Sequence, residues 1–473
     1  MVMGELEQET DLLVIGAGPG GYAAAFRAAD LGLDVTMVDV AERPGGVCLF
    51  RGCIPSKTFL HVAELLHDAA QAGAMGVRFA KPAIDLAALR DWKQKVVDQL
   101  AGGLEGLTAR RGIQLLQGRA RFESSDRVRI KGREMMYVRF RHAILAAGSH
   151  PIPLPGAPFG KGGRIMSSTG ALNLDGIPDS LLVVGGGYVG LELGMFYAAM
   201  GSRVTLVEMD ARILPGVDTD LIVPLQRRLA QTFAAMYFKT KVAGLAADGD
   251  GVAVDLAGEG PQGRQRFDRV LVAIGRRPNT DDLGLENTKV TLDERGFVAV
   301  DDHQRTHDKH ILAIGDIVGG VMLAHKAMYE GKIAADVAAG RKAAFDARAI
   351  PAVVYTDPQI AWAGVTETEA RRRGMEVRVE KFPWKASGRA VTMGLPAGLT
   401  KIVAEAGTGR IIGVGITGRG AESLIAEGVL AIEMGALVDD MALSIHPHPT
   451  LSETEGEAAE IFLGAATHIL PKN

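Results

Sequence analysis

Cysteine is nearly missing from this chain: two in 473 residues. That excludes a scaffold held by several disulfides and a cysteine-rich zinc site, since no third thiol stands by. Excess basic charge is missing too. Lys plus Arg number 52 against 56 Asp plus Glu, a net charge of −4, which gives no global pull toward nucleic acid or an anionic membrane. Long apolar runs are absent. The hydrophobic pieces are strand-length and broken by glycine, so no transmembrane helix is expected. The stretch Met1–Thr10 carries Glu5 and Glu7 and lacks both the basic-then-apolar order of a signal peptide and the Arg-rich, acid-poor character of a transit peptide. A cytoplasmic protein is expected. What is plentiful is ordinary core material, 47% apolar residues, in a length that predicts about three domains.

The two cysteines, Cys48 and Cys53, stand five positions apart in Gly45-Gly46-Val47-Cys48-Leu49-Phe50-Arg51-Gly52-Cys53-Ile54-Pro55-Ser56-Lys57. Three readings compete: two buried thiols, a metal pair short of ligands, or a redox pair that opens and closes as a disulfide. Residues five apart on a regular helix lie about 8–9 Å apart at Cα, and a disulfide needs less than roughly 7 Å. The bridge therefore requires a distorted turn, for which Gly52 supplies backbone freedom. So short a loop stabilises the fold little, which favours a catalytic pair over a structural one. No metal site is expected.

Just before this stretch, strand Asp11–Ile15 leads into Gly16-Ala17-Gly18-Pro19-Gly20-Gly21, a helix from Tyr22 to Leu31, and strand Val35–Val38 ending at Asp39. This is a dinucleotide fingerprint in full context. Gly16 makes the tight turn, Gly18 lets the backbone approach a pyrophosphate, Gly21 lets helix pack on strand, and Asp39 can hold a ribose hydroxyl. The pattern recurs 169 residues on: strand Leu181–Val184, Gly185, Gly187 and Gly190, a helix from Leu191, and strand Val204–Val207 ending at Glu208. An internal repeat of this kind means two dinucleotide sites. Glu208 suits the ribose of NAD and repels the 2′-phosphate of NADP; Arg212 lies further on.

Between the repeats, helical patterns are expected near 58–70 and 86–111 and a β-rich stretch over 113–145. The turn Ala147-Gly148-Ser149 follows, and Pro151, Pro153, Pro155 and Pro158 mark a domain crossing. After the second repeat come Gly275-Arg276-Arg277-Pro278-Asn279, then Gly315-Asp316 at a strand end and a helix from Ala324. Asp316 reads either as a hydroxyl-binding carboxylate or as a helix cap. Beyond Arg348 the pattern is α+β with no fingerprint. Arg371-Arg372-Arg373 reads as a solvated helix face. Near the end, His446-Pro447-His448-Pro449-Thr450-Leu451-Ser452-Glu453 puts histidines near a carboxylate, the make-up of a tuned general base.

With these motifs the chain resembles, almost end to end, the pyridine-nucleotide disulfide oxidoreductases, and among them the branch that oxidises protein-bound dihydrolipoamide. The resemblance rests on Gly16–Gly21, the cysteine stretch through Lys57, Gly185–Gly190 with Glu192, and Gly275–Asn279. It continues through Gly315-Asp316, Tyr355-Thr356-Asp357-Pro358, Gly364-Val365-Thr366-Glu367 and His448–Glu453. It implies an α/β fold of two Rossmann-like dinucleotide-binding domains plus a C-terminal α+β dimerisation domain. The expected segments are 1–150 and 271–348 for FAD, 151–270 for NAD, and 349–473 for the dimer interface.

The resemblance also assigns residues. FAD falls to Gly16, Gly18, Gly21, Asp39, Lys57, Gly148, Asp316 and Ala324. NAD falls to Gly185, Gly187, Tyr188, Gly190, Glu208 and Gly275. Catalysis falls to Cys48, Cys53, Lys57, Glu192, His448 and Glu453, with the cysteines of one subunit of a homodimer facing the histidine and glutamate of the other. Lys57 is expected to pair with Glu192, and His446 to be structural. The partner implied is a lipoylated acyltransferase or glycine-cleavage carrier protein, without nucleic acid or membrane. Phe50-Arg51 replaces the usual Asn-Val; Arg51 is expected to lower a thiol pKa. Tyr188 is more like the glutathione reductases, so reduction of another small disulfide is the alternative activity. A non-catalytic flavoprotein subunit would have eroded thiols, Lys57, His448 or Glu453, and all are present.

Overall fold

A computed structural model describes residues 7–160 and 163–470. The chain opens with β1 (Glu7–Ile15), α1 (Pro19–Asp30), β2 (Val35–Asp39), α2 (Gly46–Arg51), α3 (Cys53–Gln71) and α4 (Leu86–Arg110). Strands β3 (Gln114–Gln117), β4 (Arg119–Ser124), β5 (Arg127–Lys131), β6 (Met135–Leu145) and β7 (Ser149–Pro151) follow. The second repeat runs β8 (Ile165–Met166), α5 (Ser168–Asn173), β9 (Ser180–Val184), α6 (Tyr188–Ala199), β10 (Arg203–Val207), α7 (Thr219–Thr232) and β11 (Ala235–Tyr237). A hairpin excursion of β12 (Thr240–Asp248), β13 (Gly251–Gly258) and β14 (Arg264–Phe267) leads to β15 (Arg269–Val272). Then come β16 (Arg276–Pro278), β17 (Ile311–Ala313) and α8 (Ala324–Ala338). The last part holds β18 (Ala352–Val354), β19 (Ile360–Gly364), α9 (Glu367–Arg373), β20 (Val377–Pro383), α10 (Gly388–Thr392), β21 (Leu399–Glu405), β22 (Ile411–Thr417), α11 (Ala421–Met434), α12 (Val438–Ala442) and α13 (Glu453–Leu463).

Several helices begin earlier than their apolar pattern. Helix α1 starts at Pro19, directly after Gly18, and α6 at Tyr188, directly after Gly187, so each takes in the last glycine of its fingerprint. Helix α3 starts at Cys53, because a proline within the first turn loses only an N–H that has no partner there anyway.

Two compact units emerge. One comprises residues 1–58, 85–152 and 275–346; the other comprises 59–84, 153–274 and 347–473. The first unit is built on a sheet in the order β3-β2-β1-β6-β5-β4, with β17 also on β6. Its β1, β2, β3, β6 and β17 run parallel. Parallel strands bury both faces, and β1 shows it: Leu12 and Val14 pack with Ala24 and Ala28 of α1, while Leu13 and Ile15 pack with Phe122 and Val128. Strands β7 and β16 pair antiparallel.

The second unit holds the parallel sheet β11-β10-β9-β15-β8, the three-stranded β12-β13-β14, and the sheet β18-β19-β22-β21-β20. Beneath the last sheet Lys401 is 1% exposed and carries three carboxylates: Asp218 at 2.8 Å, Asp220 at 3.1 Å and Glu367 at 2.7 Å. Asp218 in turn accepts the N–H groups of Glu367 and Thr368 at the start of α9. The arginines 371–373 are exposed and pair with Glu367 and Glu369, a solvated face. Among the described residues no helix is long and apolar enough to cross a membrane, and no cluster of His, Cys, Asp and Glu is arranged to hold a metal.

Candidate active site

The two glycine turns are near copies. Gly16 sits at φ +106° and Gly185 at φ +107°, backbone that side chains avoid. A Cβ on Gly21 would stand 1.8 Å from the Gly16 carbonyl oxygen, and one on Gly190 2.1 Å from that of Gly185, so only glycine lets each helix meet its strand. The acid ending the second strand closes each turn. Asp39 accepts the N–H of Ala17 at 2.7 Å and of Ala41 at 2.8 Å; Glu208 accepts those of Gly186 at 2.5 Å and Asp210 at 2.8 Å. Neither α1 nor α6 has a capping side chain or an acid in its first turn. Each helix N-terminus thus offers its partial positive charge to a pyrophosphate, and each cradle fits a dinucleotide.

In the first unit Gly148 sits at φ +71° with open space where a Cβ would be. Next to it Ser149 donates to Asp316, and Arg276 donates to the Ser149 hydroxyl at 2.7 Å and its carbonyl at 2.6 Å. Asn279 donates to the Ala147 carbonyl at 2.7 Å. Under Asp316 lies a buried pair, Lys326–Glu330 at 2.5 Å, and Glu330 accepts the Gly315 N–H at 2.7 Å. Asp316 is therefore an oriented carboxylate in the first turn of a short 3-10 helix, Gly315–Val318, and Ala324 is the first residue of α8. Sequence reasoning missed Lys326 and Glu330, and saw Ser149 only as part of a turn. Arg276 was in view within Gly275–Asn279, but nothing in one chain said that it would reach back to Ser149.

The cysteine stretch is two helices broken at Gly52. There φ is −143° and ψ −112°, and a Cβ would meet the Val47 carbonyl oxygen at 3.0 Å. The break brings the Cys48 and Cys53 thiols, unbonded in this structure, into hydrogen-bond contact. That contact, then burial, then the charge of Cys53 push Cys48 well above the usual thiol range, and Lys57 opposes them. Here one expectation is corrected. Arg51 is exposed and the cation acting on Cys48 is Lys57, with the net shift upward. Tyr22 of α1 is raised by burial and by both sulfurs, which places the pair beside the first cradle.

In the second unit, His448 Nδ1 meets Glu453 Oε1 at 2.7 Å while the ring is 72% exposed. Burial alone would raise Glu453. The Thr450 N–H, at 2.7 Å, and the His448 ring outweigh it and hold the carboxylate below its ordinary value. A carboxylate on Nδ1 orients the ring and leaves Nε2 outward, the arrangement of a general base. His446 is turned away, to Glu427 on α11 at 2.9 Å. Glu192 is buried in α6 and accepts the Tyr355 N–H at 3.0 Å; Tyr188, at the start of the same helix, is exposed.

Paired glycine cradles, a thiol pair beside one of them and a carboxylate-oriented histidine define a nucleotide-dependent redox enzyme. The profile described as pyridine nucleotide-disulphide oxidoreductase matches residues 10–331, and that of the same family's dimerisation domain matches residues 350–459. The chain belongs to the pyridine nucleotide-disulphide oxidoreductase family. Enzymes of this family use FAD and NAD(H), and the dimerisation domain supports a homodimer. The chain is 44% identical to the dihydrolipoyl dehydrogenase of Vibrio parahaemolyticus, covering 98% of each chain. It is 47% identical to that of Thermus scotoductus over 97% of this chain and 99% of the relative. Among solved structures, LpdA from Mycobacterium tuberculosis matches with a TM-score of 0.88 at 27% identity, covering 96% of this chain and 99% of that one.

Proposed function

We propose that the chain oxidises protein-bound dihydrolipoamide to lipoamide and reduces NAD+ to NADH, the reaction of a dihydrolipoamide dehydrogenase. The observation that carries the reading is the Cys48–Cys53 contact beside the first cradle, in a chain alike over its whole length to dihydrolipoyl dehydrogenases. The segments 1–150 and 271–348 would bind FAD, 151–270 NAD, and 349–473 the second subunit. Gly16, Gly18, Gly21, Asp39, Lys57, Gly148, Asp316 and Ala324 would hold FAD; Gly185, Gly187, Tyr188, Gly190, Glu208 and Gly275 would hold NAD. When bound, FAD supplies a two-electron acceptor beside the cysteines and NAD the final hydride acceptor.

The cycle starts from the Cys48–Cys53 disulfide. His448 of the partner subunit, oriented by Glu453, takes the proton of one substrate thiol, because only a thiolate attacks a disulfide. That sulfur bonds to Cys48, the Cys48–Cys53 bond breaks, and Cys53 leaves as the thiolate. The second substrate thiol displaces Cys48 from the mixed disulfide, hands it its proton, and departs as the lipoamide disulfide. The dithiol geometry suits this division: contact with Cys53 and burial raise Cys48, and the scheme places the charge on Cys53. Lys57, one helical turn past Cys53, stabilises that charge. The lipoyl group arrives on an acyltransferase or glycine-cleavage carrier, in a cytoplasmic setting.

Alkylation tests the redox pair. Iodoacetamide should leave the isolated enzyme unmodified and add two groups, at Cys48 and Cys53, after anaerobic reduction with NADH. Equal labelling before and after NADH would contradict the reading and favour a non-catalytic flavoprotein.

A further inference from the structure

One acid in the last part of the chain has no place in this scheme. Glu455, on the first turn of α13, is 0% exposed, and among the described residues neither of its carboxyl oxygens meets a donor at hydrogen-bonding geometry. The Gly428 N–H of α11 faces it, and the Glu427 carboxylate is its charged neighbour. Burial first and Glu427 second push Glu455 up to about 9, so near neutral pH it is an uncharged acid with an O–H to give. An apolar side chain would fill the same space without the cost of burying a carboxyl group.

Glu427 is the residue that holds His446. The His446 ring is nearly closed off from solvent, and it lies against the backbone of α13: a Cβ on Gly456 would stand 2.8 Å from its Nδ1. The charged groups facing His446 are Glu427 from α11, and Glu453 and Glu460 from α13. Two residues further along the chain is the exposed His448, whose partner Glu453 shares the first turn of α13 with Glu455. The loop thus has a wedged foot, His446, and a free arm, His448.

We propose that Glu455, Glu427 and His446 form a buried positioning triad, in which the Glu455 O–H donates to Glu427, Glu427 fixes His446, and His446 sets the loop that presents His448 to substrate. This rests on the reading of His448 as the general base. None of the three touches the reacting sulfurs, so all three are positioning residues.

The test uses the flavin-loaded enzyme and its Glu455→Leu and Glu455→Gln variants, with flavin content and thermal melting as folding controls. Glu455→Leu should keep its flavin and lower kcat for dihydrolipoamide about tenfold with little change in KM, because a base misplaced by about an ångström loses rate rather than binding. Glu455→Gln keeps a donor toward Glu427 and should restore kcat to within about threefold of the parent. The parent should lose activity as the pH rises through about 9, where Glu455 ionises beside Glu427; the Gln variant should lack that limb. Infrared difference spectra of the parent against Glu455→Gln should show a protonated carboxylic C=O band near neutral pH, which needs no Leu variant to fold. Parental kcat and pH profile in Glu455→Leu, or no such band, would overturn the proposal. If these variants are silent while His448→Gln is slow, the triad alone fails. If His448→Gln is also near normal, the base assignment fails with it.

Discussion

The two fingerprints of this chain are the same device put to different uses. Gly16 and Gly185 turn at nearly the same angle, and Asp39 and Glu208 close those turns with the same two backbone bonds. Their surroundings differ. The first helix, α1, is thin and alanine-rich. It packs against α8 so closely that a Cβ on Gly331 would stand 2.5 Å from the Gly20 carbonyl oxygen. The second, α6, is apolar on nearly every side and buries Glu192 beside Phe196 and Tyr197. After β2 the chain enters the cysteine helices; after β10 it enters a turn that buries Ile213 and Leu214 and in which Arg212 bonds Thr219 at 2.5 Å. The shared motif provides a cradle, and the segment after it decides what chemistry the cradle serves.

Substitutions can break that comparison. The largest effect is expected for Cys53→Ser, which should abolish turnover while the flavin spectrum persists; no change in the segment after β10 should do this. His448→Gln should slow turnover by about 10²–10⁴-fold, the usual worth of acid–base catalysis; near-normal steady-state rates would count against the base. The matched pair Gly21→Ala and Gly190→Ala should separate the cradles. Each adds a Cβ that collides with a carbonyl oxygen, yet the first should yield protein without flavin and the second flavin-loaded protein whose KM for NAD+ rises by about tenfold or more. Flavin loss in both would mean that the assignment of cofactors to cradles is wrong.

Stability effects come next. Lys401→Met leaves the buried Asp218 without its cation and the half-buried Asp220 and Glu367 with Lys381, and urea unfolding should show a loss of about 3–5 kcal/mol. Burial opposes the ionisation of Asp218, but its bonds to Lys401 and Thr368 prevail and hold it at about 2, against an ordinary value of 3.8. Its folded pKa is depressed, so its contribution is complete above about pH 4 and fades as the pH falls through 2. Acid melts of Lys401→Met should lose that feature. Glu455 has the opposite sign. With a folded pKa raised to about 9, it costs stability progressively as the pH rises from near 4.5 to 9. The melting-temperature advantage of Glu455→Leu over the parent should be larger at pH 8 than near pH 4; an unchanged difference across that range would mean the acid is not buried as described.

What the sequence made legible follows from how local each feature is. Glycines forced by a turn, and an acid a fixed distance on, are spelled out within one βαβ unit. The Gly52 break follows from five-residue spacing alone. The rest depends on contacts across the chain. Lys401 meets Asp218 from 183 residues away, Arg276 meets Ser149 from 127 away, and Glu427 meets His446 across a helix and a loop; no periodicity marks any of them. Arg51 misled because α2 carries its side chain to the surface while Lys57 acts on the thiol. Glu455 drew no reading at all, because burial of a carboxyl group leaves no trace in spacing.

The central claim is that Cys48 and Cys53 relay electrons from a dithiol carrier to NAD. Its most direct test follows the purified, flavin-loaded enzyme in two assays side by side: NAD+ reduction by dihydrolipoamide, and NADPH oxidation by glutathione disulfide. Rapid NADH formation in the first and none above background in the second is the expected result. Failure with dihydrolipoamide together with turnover of glutathione disulfide would contradict it, and would make Tyr188, Phe50 and Arg51 the residues to examine for a different substrate.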